Sequence, residues 1–139
     1  YIFRKDQDVF TFSLHGKNNF PLHKQDSDLD IPLEDGTEDQ AYLEALQTGL
    51  EIAAGRIKAD LAVYLAGADP YRSDRYGRLS LTKQGLIERD RKVLAFCPQH
   101  RIPVAVTMAG GYARDINDTV DIHLETVRIF MNAYRNIGN

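Results

Sequence analysis

Hydrophobic and polar positions along this chain alternate between two periods, and the switches between them mark out its elements. Val9-Phe10-Thr11-Phe12-Ser13-Leu14 is a short β-branched and aromatic run that predicts a strand, closed by His15-Gly16. The polar stretch from Lys17 to Asp30 predicts a long surface loop, of the length that in compact domains is usually functional. Thr37-Glu38-Asp39-Gln40 has the form of a capping box. Leu43, Leu46, Leu50, Ala53 and Ile57 then recur at helical spacing, predicting a helix up to Asp60.

Leu61 to Ala66 follows as a buried strand, and Thr82 is placed to cap a helix through Phe96 with Leu86, Val93, Leu94 and Cys97 on its apolar side. Pro98 and Pro103 bracket the turn into a third strand ending at Met108. A last helix from about Asp115 to Tyr134 carries Ile116, Val120, Leu124, Val127 and Phe130 as its expected inner face. Strand and helix alternating three times with short connections predict an α/β fold, a parallel sheet with helices on both faces joined by right-handed crossovers. Three strands make a small sheet with a bare edge, so the sheet is expected to continue in sequence outside these residues.

Composition narrows the function classes. The 139 residues carry a formal charge of -3, which gives no basic footprint for nucleic acid. The single cysteine, Cys97, excludes an internal disulfide and any zinc site built from several cysteines of this chain. No run approaches the roughly 18 apolar residues of a membrane span, and the residues from Tyr1 lack the charged and apolar regions of a signal peptide, so cytoplasm is the expected compartment. His15, His23, His100 and His123 show no zinc-binding spacing.

The candidate chemistry lies at two strand ends, where open α/β folds bind ligands. Asp69 ends the phrase Leu65-Ala66-Gly67-Ala68-Asp69-Pro70, and Tyr112 ends Ala109-Gly110-Gly111-Tyr112. A carboxylate and a phenol on neighbouring rims suit a metal beside a polarising hydroxyl. On topology alone, an aspartate there is more often a loop residue or a helix cap than a ligand. Asp74 reads as a loop anchor, paired with Arg75 or Arg78. Tyr71 and Tyr76 are equally suited to lining the mouth of a site or to packing against loops.

Several phrases in order extend this reading: Phe12-Ser13-Leu14-His15, Asn19-Phe20-Pro21, Asp30-Ile31-Pro32-Leu33-Glu34-Asp35-Gly36, Gly67-Ala68-Asp69, Ser73-Asp74-Arg75-Tyr76-Gly77 and Gly110-Gly111-Tyr112. Together they resemble the C-terminal half of the histone deacetylase superfamily, nearest its class IV branch and bacterial relatives. The resemblance implies an arginase/deacetylase-like three-layer fold, present here as an incomplete part of a single catalytic domain spanning residues 1–139. It also implies a start at Tyr1 made by truncation.

By the same resemblance, Asp69 matches one of three zinc ligands, and the other two lie in an upstream Asp-x-His motif with no match here. A pair of catalytic histidines also lies upstream. Tyr112 matches the phenol that stabilises the oxyanion, and Phe20, Gly110 and Gly111 match substrate-tunnel positions. Ser13 and Leu14 match a structural potassium site. The expected activity is zinc-dependent removal of an acyl group from acetyl-lysine or an acetylpolyamine, with the 139-residue chain inactive by itself. Two other readings stand beside it: a noncatalytic flavodoxin-like domain binding a small ligand, and a deacetylase-like domain that has lost catalysis and serves in an assembly.

Overall fold

The computed structural model describes residues 2–137. Its elements run β1 (Phe12–Gly16), β2 (Leu29–Leu33), α1 (Asp39–Arg56), β3 (Ala62–Ala66), α2 (Lys83–Gln99), β4 (Val104–Met108) and α3 (Ile116–Ile137). β1 pairs in parallel with β2, and β3 in parallel with β4, giving two two-stranded sheets. The α/β class with parallel strands is the one the periodicity predicts, but the single three-stranded sheet is not, since four strands form two separate pairs and α2 alone crosses between paired strands.

Several boundaries differ, α1 ending at Arg56 rather than Asp60, and two of the differences have identifiable causes. β1 begins at Phe12 rather than Val9 because Thr11 is held just ahead of the ladder, its amide and hydroxyl both donating to Asp28 Oδ2 at 2.7 Å. β2 lies partly inside the stretch read as loop. There Leu29, Ile31 and Leu33 turn inward while Asp30 and Pro32 face solvent, a half-buried strand whose outer residues hide it.

The helix starts divide in the same way. Thr82 caps α2, its side chain accepting from the Gly85 amide at 3.0 Å. The capping box at α1 does not form: Glu38 is the N-cap with no side-chain bond, and the Thr37 hydroxyl donates back to the Glu34 carbonyl. Asp39 turns to α2 instead, accepting from the Thr82 amide at 2.8 Å and its hydroxyl at 2.6 Å. One carboxylate thus ties the two helix starts together. α2 also runs through Pro98 to Gln99, beyond the expected end at Phe96.

α1 buries Tyr42, Leu46, Gly49, Leu50 and Ala53, and α2 buries Leu86, Val93 and Cys97 beside Leu79, Leu81 and Phe130. α3 buries Phe130 of its expected inner face but turns the rest of that face outward. Thr119, Ile122, Thr126 and Phe130 are buried, whereas Ile116, Val120, Leu124 and Val127 stay 66%, 55%, 44% and 38% exposed. The helix carries two apolar stripes about a third of a turn apart, and packing on α2 selects the one periodicity did not favour. The outer stripe continues through Met131 and Tyr134, and Val63, Leu65 and Met108 on the β3–β4 sheet are exposed as well. No described helix is long and apolar enough to cross a membrane.

Candidate functional site

The site is assembled where β3 and β4 end. Past Ala66 the chain turns through Gly67-Ala68-Asp69, and past Met108 through Ala109-Gly110-Gly111-Tyr112. The two turns are joined by the Ala68 amide donating to the Gly110 carbonyl at 2.6 Å. The ladder continues by one bond beyond the strands, and that bond brings the segments of Asp69 and Tyr112 side by side.

The close fit depends on absent side chains. A Cβ on Gly67 would stand 2.4 Å from Asp69 Oδ1, one on Gly77 would stand 2.0 Å from the Asp69 carbonyl oxygen, and one on Gly110 would stand 3.2 Å from Oδ1. Gly111 has φ +152°, a conformation that side chains rarely tolerate.

Asp74 holds the Tyr112 turn to its neighbour. Its Oδ2 accepts from the Tyr112 amide at 2.6 Å, and its Oδ1 accepts from the amides of Tyr76 at 2.8 Å and Gly77 at 2.7 Å. The Arg75 amide also donates to the Tyr112 carbonyl, and the Arg114 amide to the Ser73 carbonyl, each at 3.0 Å. Asp74 is therefore a loop anchor, as its position suggests. Its partners are backbone amides rather than Arg75 or Arg78, and Arg78 pairs with Asp35 at 3.2 Å.

Tyr76 meets Tyr112 edge to face, ring centroids 5.4 Å apart, and Tyr112 itself is 63% exposed at the rim. Tyr71 is buried, its hydroxyl toward Asp118. The rim role thus goes to Tyr76 and the packing role to Tyr71.

The remaining expected residues lie further out. Phe20 is 89% exposed on the loop after β1, and that loop reaches the rim through Asn19, whose Oδ1 accepts from the Arg78 amide at 2.9 Å. Ser13 and Leu14 stand half-buried on β1, in the other sheet, with Ser13 Oγ 2.8 Å from His15 Nδ1.

Burial pushes the carboxyl of Asp69 above the ordinary carboxylate range, and the nearby charge of Asp74 adds to the rise. A carboxylate held in this way favours a cation beside it. Among the described residues no three His, Cys, Asp or Glu side chains converge.

The raised carboxyl has a consequence for stability. Its charged form is disfavoured by folding, so the metal-free protein loses stability as pH climbs from 3.8 through the raised value. Asp69→Asn removes that loss. Thermal unfolding of the metal-free variant is expected to show a higher melting temperature than wild type at neutral pH, the gain disappearing below pH 3.8.

Two residues were passed over by periodicity. Arg89 and Asp90 lie on the buried side of α2 between Leu86 and Val93, and the signal was two charges at core spacing on an amphipathic helix.

The profile of the histone deacetylase domain matches residues 1–127. An uncharacterized protein of Picosynechococcus sp. is 46% identical over 123 residues, covering 88% of this chain and 41% of that protein. Histone deacetylase 2 of Arabidopsis thaliana is 28% identical over 123 residues, 84% of this chain and 32% of that protein. Among solved structures, an HDAC homologue complexed with SAHA superposes with a TM-score of 0.64 at 26% identity, over 75% of this chain and 30% of that one. The HDA15 HD domain superposes with a TM-score of 0.72 at 19% identity over 94% of this chain and 40% of that one, a likeness of fold. The chain spans about two fifths or less of the length of each of these proteins.

Proposed function

Because the chain belongs to the histone deacetylase family, we propose that it is part of the catalytic domain of a zinc-dependent deacetylase acting on acetyl-lysine or a related acylated amine. The observation that carries this reading is the juxtaposition of Asp69 and Tyr112 on adjoining strand ends, locked by the Ala68 to Gly110 bond. The solved homologue complexed with SAHA supports a ligand site in this fold.

In this reading Asp69 is one zinc ligand, with the other donors and a pair of acid–base histidines outside these residues. Bound zinc would supply Lewis acidity toward the amide carbonyl. Tyr112 donates its phenolic hydrogen to the carbonyl oxygen as negative charge develops there, an interaction stronger in the transition state than in the ground state. Asp74 and Tyr76 keep that ring in place through the Tyr112 amide and the ring edge. Phe20, Gly110 and Gly111 line the approach of the acyl group. Ser13 and Leu14 are assigned to a potassium site on β1. Water adds across the amide bond, giving a carboxylate and a free amine.

The test is hydrolysis of an acetyl-lysine peptide and of an acetylpolyamine by the complete protein, with and without a zinc chelator. Release of acetate that stops on chelation and returns with zinc is the expected result, while the 139-residue chain alone releases none. No hydrolysis of any acyl amine, with tight binding of a nucleotide or flavin, would point instead to a noncatalytic binding domain.

A further inference from the structure

We propose that the buried Arg89–Asp90 pair is a positioning device that sets the Asp69 carboxylate relative to the Tyr112 turn. Its catalytic meaning rests on the deacetylase reading above. Arg89 is 3% and Asp90 1% exposed, both on α2. Arg89 Nη1 donates to the Gly67 carbonyl at 2.6 Å, and its Nε donates to Asp90 Oδ1 at 2.9 Å. The Tyr64 hydroxyl donates to the same Oδ1 and the Thr126 hydroxyl to Oδ2, both at 2.6 Å. One carboxylate thereby joins β3, α2 and α3, and one guanidinium reaches past it to the end of β3.

The target of that reach is the peptide unit between Gly67 and Ala68. Its carbonyl is held by Arg89 and its amide by the Gly110 carbonyl, so the unit is clamped at both ends. On one side the next residue is Asp69, and on the other Gly110 leads through Gly111 to Tyr112. A Cβ on Gly67 would displace the Asp69 carboxylate, and the glycine that leaves it room also leaves that peptide free to rotate. Arg89 removes the freedom that the close approach introduces.

The geometry of the pair supports a positioning role over a stabilising one. A guanidinium optimised for a carboxylate makes two parallel bonds to its two oxygens. Here Nη2 lies 2.8 Å from the same Oδ1 that Nε uses, poorly aligned with it, while Oδ2 is given to Thr126. The fork is turned away from its best pairing so that Nη1 meets Gly67. Apolar residues of similar volume commonly replace a buried ion pair with no loss of stability, so geometry is what this pair contributes.

The test compares the complete protein with Arg89→Met/Asp90→Asn, which removes both charges together, and with Arg89→Lys, which keeps the charge but not the fork. Expected for the double variant is a melting temperature close to wild type. Amide hydrogen exchange should rise about tenfold or more at Ala68 and Tyr112 and stay unchanged in α2, while kcat on an acetyl-lysine peptide falls about tenfold or more with little change in KM. Arg89→Lys should fall between, and it carries the test if the double variant does not fold. Unchanged exchange at Ala68 and Tyr112 in a folded variant overturns the proposal, as does faster exchange with kcat intact. A wild-type protein that hydrolyses no acyl amine would sink the deacetylase reading alone, since the exchange comparison still decides whether Arg89 clamps the turn.

Discussion

Tyr112→Phe in the complete enzyme is expected to lower kcat about a hundredfold or more while leaving KM and zinc content near their original values. The loss is confined to turnover because the variant deletes one oxygen from a rim ring and touches nothing that shapes the loop. The Tyr112 amide still donates to Asp74, and the ring still meets Tyr76. A phenol that polarises only the developing oxyanion contributes little to ground-state binding, and its removal appears in kcat. Steady-state kinetics on an acetyl-lysine peptide, with zinc measured in the same preparation, check this. Turnover equal to wild type would remove Tyr112 from the chemistry.

The largest expected effect on stability comes from Asp90→Ala, which should destabilise the complete protein by about 3–5 kcal/mol. The variant leaves the Arg89 cation buried without its carboxylate and takes the acceptor from the Tyr64 hydroxyl, while the Thr126 hydroxyl falls back on the Ile122 carbonyl at 3.1 Å. Burying such groups unpaired is the most damaging kind of point change. Chemical denaturation monitored by far-UV circular dichroism gives the number. A loss below about 1 kcal/mol, the scale of an exposed ion pair, would mean that water reaches the pair. The contrast with the double variant, expected to be near neutral, separates the cost of a stranded charge from the value of the pair.

Much of this architecture was legible in the sequence where one signal sufficed. Thr82 as a helix cap, the strands ending at Ala66 and Met108, and the placement of Asp69 and Tyr112 just beyond them follow from local pattern. What escaped depended on a partner that local pattern does not display. β2 was hidden because its outward residues are Asp30 and Pro32, which read as loop, although Leu29, Ile31 and Leu33 alternate correctly beneath them.

Asp39 reads as part of its own helix start, while Thr82, 43 residues away, claims its carboxylate. On α3 the buried face is half threonine, Thr119 and Thr126 beside Ile122 and Phe130, so the more apolar stripe reads as the inner one and contact with α2 alone turns the other inward. Arg89 and Asp90 sat at core spacing, but charged residues are read as surface unless something is known to pair them. At the site, the role of Asp74 was legible and its partners were not, since backbone amides leave no mark in a sequence.

The crowding around Asp69 bears on how such a protein can change over generations. Gly67, Gly77 and Gly110 come from three separate segments, and at each the space a side chain would need is already taken by Asp69. Every replacement of a glycine adds at least a Cβ, so no small step exists at these positions. A Cβ at Gly67 or Gly110 must shift the Asp69 carboxylate, by a few tenths of an ångström at Gly110, and one at Gly77 must shift the Asp69 backbone itself. Arg72, Arg75 and Arg78, exposed on the neighbouring loop, are under no such constraint. Drift is channelled to that rim, and new preferences for what approaches the site would be explored from the outside while the carboxylate keeps its place.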